Sequence, residues 1–148
     1  MYHSAKNLYK ARVNFGDLLK LTTANRELVR AIAYVVKSDT EEEKAFFSAL
    51  EKAGYELKSK DLQIFPGGMK KGDWDVAIAI DAITISKLVD VVVIVSGDGD
   101  YEPLVDYLKF NGTIVEVAGF HRSTSARLIE SANNYLDLEE VKDKVLLK

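Results

Sequence analysis

Three aspartates stand where this sequence can do chemistry. Asp98 and Asp100 alternate with glycine in Ser96-Gly97-Asp98-Gly99-Asp100, directly after five β-branched apolar residues at 91–95. Asp81 stands inside Ala79-Ile80-Asp81-Ala82-Ile83, on one helical face with Trp74, Ile78 and Ile85. An ionised carboxylate on an apolar face needs a hydrogen bond, a cation or a metal to compensate it. Three acids converging on one edge make an oxygen-only donor set, which suits hard cations such as Mg²⁺ or Mn²⁺. Such ions activate water and stabilise in-line attack at phosphorus. The plainer reading makes Asp98 a turn residue, Asp100 a helix N-cap and Asp81 a solvated surface charge. Asp75 falls outside the set. It lies six residues before Asp81, about 120° away around a helix, and with Asp73 it is expected to cap the helix N-terminus.

These acids need a rigid frame. The run VVVIV at 91–95 is apolar on both faces, as in a parallel strand covered by helices on both sides. Open sheets of that kind place ligands beyond the carboxyl ends of their strands, which is where Asp98 and Asp100 fall. Pro103 then suits the first turn of a helix over 103–110, which Asn111-Gly112 closes. Earlier in the chain, residues 1–11 show helical spacing, and Asn14 suits the N-cap of a helix through Leu21. AIAYVV at 31–36 reads as a buried strand, and Thr40 with Glu43 matches a capping box for a helix ending at Gly54. Strand pieces are expected at 55–58 and 62–65, a buried helix over 73–89, a strand over 113–118 and a helix to about Asn133. Alternating strands and helices with short turns predict parallel strands joined by right-handed crossovers.

Composition narrows the classes. A chain of 148 residues suits one domain over residues 1–148. There is no cysteine, so thiol catalysis, disulfides and cysteine-bound zinc are excluded. The apolar runs are strand-length, no membrane partner is expected, and the N-terminus lacks the apolar core of a signal peptide, so a cytoplasmic location is the expectation. A net charge of −3 means that a nucleic-acid site would be a local patch. Lys70, Lys71, His121 and Arg122 lie in loops expected near the acidic edge, as candidates for holding phosphates or as ordinary solvated charges. His3 and His121 adjoin no serine nucleophile motif, and the glycines of SGDGD fit neither a dinucleotide fingerprint nor a Walker loop.

Four segments together resemble the NYN domains, the LabA-like branch of the PIN-like nuclease superfamily. They are KKGDWDVAIAIDAI at 70–83, VVVIVSGDGDYEPLVDYLKFNG at 91–112, TIVEVAGF at 113–120 and STSARLIESANNYLDL at 123–138. The resemblance implies a Rossmann-like parallel sheet with helices on both faces. It also implies Mg²⁺ or Mn²⁺ held for cleavage of RNA phosphodiesters, with Asp81, Asp98 and Asp100 as metal and catalytic residues and Ser96 and Gly97 shaping the loop. Lys70, Lys71, Ser96 and Arg122 are the candidate substrate contacts, RNA is the expected partner, and a homodimer is left open.

The sequence departs from that family twice. The family's first strand, ending in an Asp, would precede Met1, so the domain reads as truncated at its N-terminus. Loss of that central strand is expected to bare two sheet edges. The acid expected before the closing aromatic is replaced by Asn133. These departures support a second expectation, an inactive module of the same fold that binds RNA or a protein. A third reading, a phosphatase-like or receiver-like pocket, lacks a marked nucleophilic Asp.

Overall fold

A computed structural model describes residues 12–61, 63–64, 70–71 and 74–147 of the chain. The helix expected over 1–11 lies outside the described residues. The elements follow the chain as β1 (Arg12–Val13), α1 (Phe15–Thr23), β2 (Ile32–Lys37), α2 (Glu41–Ala53), β3 (Glu56–Asp61), β4 (Gln63–Ile64) and β5 (Lys70–Lys71). Then come α3 (Asp75–Ser86), β6 (Val91–Val95), α4 (Glu102–Phe110), β7 (Ile114–Gly119), α5 (Ala126–Ser131), β8 (Asn134–Asp137), α6 (Lys142–Val145) and β9 (Leu146–Leu147).

Local chemistry sets several boundaries. Asn14 Oδ1 accepts from the Asp17 amide at 3.1 Å and starts α1. Thr40 Oγ1 accepts from the Glu43 amide at 3.2 Å, but the Glu43 carboxylate turns to the Ser38 amide and hydroxyl at 2.8 and 2.6 Å. The expected capping box is thus formed in one direction, and the carboxylate closes the preceding turn instead. Gly54 ends α2 at φ 113°, a conformation that needs no Cβ.

The parallel strands form two units. β2 pairs with β3, and β6, β7 and β8 lie side by side, all parallel. β8 lies beyond the last element expected from the sequence, the helix ending near Asn133. Two short antiparallel pairs, β1 with β9 and β4 with β5, complete the strands. Each face of the three-stranded unit carries its own core. On one, Ile94, Val115 and Val117 meet Leu104, Val105, Leu108 and Leu128 from α4 and α5. On the other, Ala118 and Phe120 meet Leu18 of α1 and Val145 of α6. Helices therefore cover both faces, as expected for this class of fold.

Helix α3 spans both units. Its Trp74 flank and Asp81 reach β2 and β3, while Ile78, Ala79, Ala82 and Ile83 rest against the core around Ile94. The helix is less covered than its composition predicts: Val76 is 74% and Ile80 58% exposed. β6 also differs from expectation, because only Ile94 is fully buried while its neighbours are half-buried. The reason is lateral. The Ile114 amide bonds to Asp90 O, so alternation turns the backbone groups of Val92 and Ile94 to β7 and those of Val91, Val93 and Val95 to the other edge. That edge has no strand partner among the described residues. The same holds for the β2 edge formed by Ile32, Tyr34 and Val36, since Glu56 N bonds to Ala31 O on the β3 side.

Candidate metal centre

Asp75, Asp98 and Asp100 come together. Each offers a carboxylate oxygen, and these atoms lie within 4.8 Å of one another. Asp75 is the first residue of α3. Asp98 ends the loop after β6, and Asp100 sits in the single 3₁₀ turn over Gly99–Tyr101 that leads into α4. Asp75 is half-buried, and Asp98 and Asp100 are exposed.

Neighbouring groups hold the arrangement. Tyr101 is buried, and its hydroxyl donates to Asp75 Oδ1 at 2.8 Å. Asp98 Oδ1 accepts from the Asp100 amide at 2.9 Å, and Ser96 Oγ accepts from the Asp98 amide at 3.2 Å. The loop is pressed against the segment before α5: Ser125 N donates to Gly97 O at 2.9 Å. A Cβ on residue 97 would stand 2.1 Å from Ser123 O, so only glycine fits.

Asp81, expected from the sequence to converge with Asp98 and Asp100, is not part of this group. Its Oδ2 accepts from Lys58 Nζ at 2.7 Å and from the Tyr34 hydroxyl at 2.8 Å. Lys58 first, then Tyr34, hold its carboxyl below the ordinary carboxylate value. Burial, followed by the bond to Asp81, raises the Tyr34 phenol well above its usual value. Of the partners foreseen to compensate an acid on that face, the structure shows a lysine and a tyrosine. The reason is position along the helix. Six residues at about 1.5 Å each put Asp81 roughly 9 Å down the axis from Asp75, and it is Asp75, at the start of α3, that the turn after β6 reaches through Tyr101.

The other candidates fall as follows. Ser96 is in the loop, engaged with Asp98. Lys70–Lys71 form β5, in the chain leading to α3. Arg122 is engaged by Glu139, with Nε and the backbone amide donating to Oε1 at 2.9 and 3.1 Å. Asn133, at the position where the resemblance implies an acid, exchanges bonds with the Val115 backbone at 2.8 Å in both directions and ties α5 to β7. Asp73 and His3 lie outside the described residues.

The family model for the NYN domain matches residues 1–139. The chain belongs to the NYN domain family. This NYN domain is 28% identical over 128 residues to the low amplitude and bright protein LabA of Synechococcus elongatus, covering 80% of this chain and 69% of that protein. It also superposes on the crystal structure of a Vibrio parahaemolyticus protein of unknown function with a TM-score of 0.89, at 34% identity over 99% of this chain and 89% of that one. The NYN fold is thus shared at close range, and its nuclease superfamily comes with it. No helix among the described residues is long and apolar enough to cross a membrane.

Proposed function

We propose that this NYN domain is a divalent-metal-dependent ribonuclease and that Asp75, Asp98 and Asp100 hold its Mg²⁺ or Mn²⁺. The observation that carries the reading is the meeting of three carboxylates within 4.8 Å at the carboxyl end of β6. The donor set fits the cation: it is all oxygen, without histidine or cysteine, as Mg²⁺ and Mn²⁺ prefer. When bound, such an ion lowers the pKa of water and offsets charge on the phosphate. The chain's own residues do the rest. Tyr101 fixes the orientation of Asp75, the Asp100 amide fixes Asp98, and the Gly97–Ser125 contact keeps the loop from moving away. The exposure of Asp98 and Asp100 leaves the edge open to a polymer. Lys70 or Lys71 positions the RNA backbone by phosphate contact, with Ser96 and Arg122 as further contacts.

The test is cleavage of an end-labelled single-stranded RNA with Mn²⁺, with EDTA as blank and Asp98→Asn and Asp75→Asn as controls. Cutting that needs the metal and both aspartates is the expected result. A chain that binds Mn²⁺ without cutting any RNA overturns the enzymatic reading. The alternative, an inactive NYN module that binds RNA or a protein, draws support from Asn133, whose amide is committed to the Val115 backbone.

A further inference from the structure

Lys60 is held differently from the five cations that form ion pairs with carboxylates among the described residues. Arg26, Arg30, Lys44, Lys58 and Arg122 each meet a carboxylate within 3.2 Å. Lys60 instead places its Nζ 4.7 Å from the centroid of the Trp74 ring. An indole face attracts an ammonium group without neutralising it. The ring is itself fixed: Nε1 donates to Val35 O at 3.0 Å, and Tyr34 lies against it at 5.5 Å. Trp74 directly precedes Asp75, and Lys60 stands one residue from the end of β3. A preorganised positive charge, with no carboxylate partner among the described residues, thus lies against the residue that precedes Asp75.

We propose that Lys60, seated on Trp74, is a phosphate contact for a single-stranded RNA that runs into the Asp75–Asp98–Asp100 edge. The inference rests on the ribonuclease reading and adds a substrate-positioning residue to it. The positioned ammonium meets a phosphate oxygen one step away from the acids. RNA that displaces or draws off this ammonium changes the environment of the indole. Trp74 is the only tryptophan of the chain, so its fluorescence reports the event directly.

The experiment titrates an unlabelled oligouridylate into the Asp98→Asn chain in Mg²⁺, so that binding is read without cutting. Trp74 fluorescence and filter binding are followed over a series of salt concentrations. Each phosphate contact on a single strand contributes about 0.7 to the slope of log K against log salt. The expected result is a fluorescence change that saturates together with filter binding, and a slope reduced by about 0.7 in Lys60→Gln and restored in Lys60→Arg. A slope unchanged in Lys60→Gln, or an indole signal that does not move at saturating RNA, overturns the proposal, as does an absence of RNA binding. The two readings fail separately. A chain that cuts RNA with an unchanged Lys60→Gln slope is a nuclease without this contact. A chain with the Lys60-dependent slope that never cuts when Asp98 is intact is a binding module that uses it.

Discussion

The Tyr101 hydroxyl donates to Asp75 Oδ1 at 2.8 Å and so joins the turn after β6 to the first residue of α3. Two segments twenty-six residues apart in sequence meet at this bond, and the acidic group depends on it. Tyr101→Phe keeps the buried ring and removes only the hydroxyl. We expect a loss of about 1 kcal/mol in stability and a weakening of Mn²⁺ binding of about tenfold or more, measured by urea denaturation and by calorimetric titration.

Asp75 and Asp81, on the same helix, are expected to respond in opposite ways. Asp75→Asn relieves repulsion among three close carboxylates, so in EDTA the melting temperature holds or rises while Mn²⁺ affinity falls by more than about tenfold. Asp81→Asn weakens a lysine pair and a tyrosine bond and should cost about 1 kcal/mol, with Mn²⁺ affinity unchanged. Loss of metal binding in Asp81→Asn alone would contradict the placement of that residue.

The Asp81 contacts also predict an acid dependence. Its carboxyl is held below the ordinary value of 3.8, so the folded state favours the charged form. The stabilisation is complete above that value and is lost as the pH falls below it toward the folded-state pKa. The gap in urea midpoint between the wild type and Asp81→Asn should therefore be constant near neutrality and close below about pH 4.

Two glycines separate steric fit from backbone strain. Gly97→Ala would press a Cβ to 2.1 Å from Ser123 O and must shift the loop that carries Asp98. We expect about 1–3 kcal/mol of destabilisation together with weaker Mn²⁺ binding. Gly112, at φ 88° with nothing within 4 Å of its would-be Cβ, should cost about 1 kcal/mol on change to Ala and leave metal binding intact. Parallel losses of metal affinity in both variants would remove the special role of the Gly97 contact.

The elements that sequence alone revealed are those that carry their own chemistry. The unbroken Val91–Val95 run marks β6, Asn14 marks the start of α1, and Gly54 marks the end of α2. Asp98 and Asp100 were visible because they follow a strand end directly. β8 carries no signal of its own, since Asn134, Tyr135, Leu136 and Asp137 form no apolar run; its place comes from pairing with Glu116 to Gly119 of β7. Asp75 escaped because helical periodicity compares faces and says nothing of which end of a helix meets the sheet edge. The contacts of Asp81 with Lys58 and Tyr34 lie 23 and 47 residues away in sequence, beyond any local pattern.

The division of the parallel strands into two units has a consequence for how the molecule opens. Among the described residues no backbone ladder joins β2–β3 to β6–β7–β8. Among those residues side chains link the units, through Trp74 at the start of α3, Asp81 within it, and Phe15 of α1 against Phe46 and Tyr55. Cooperativity between them then draws on those side-chain seams. Amide hydrogen exchange should resolve two protection levels, with the β6–β7–β8 core slower than the β2–β3 flap that carries Lys60.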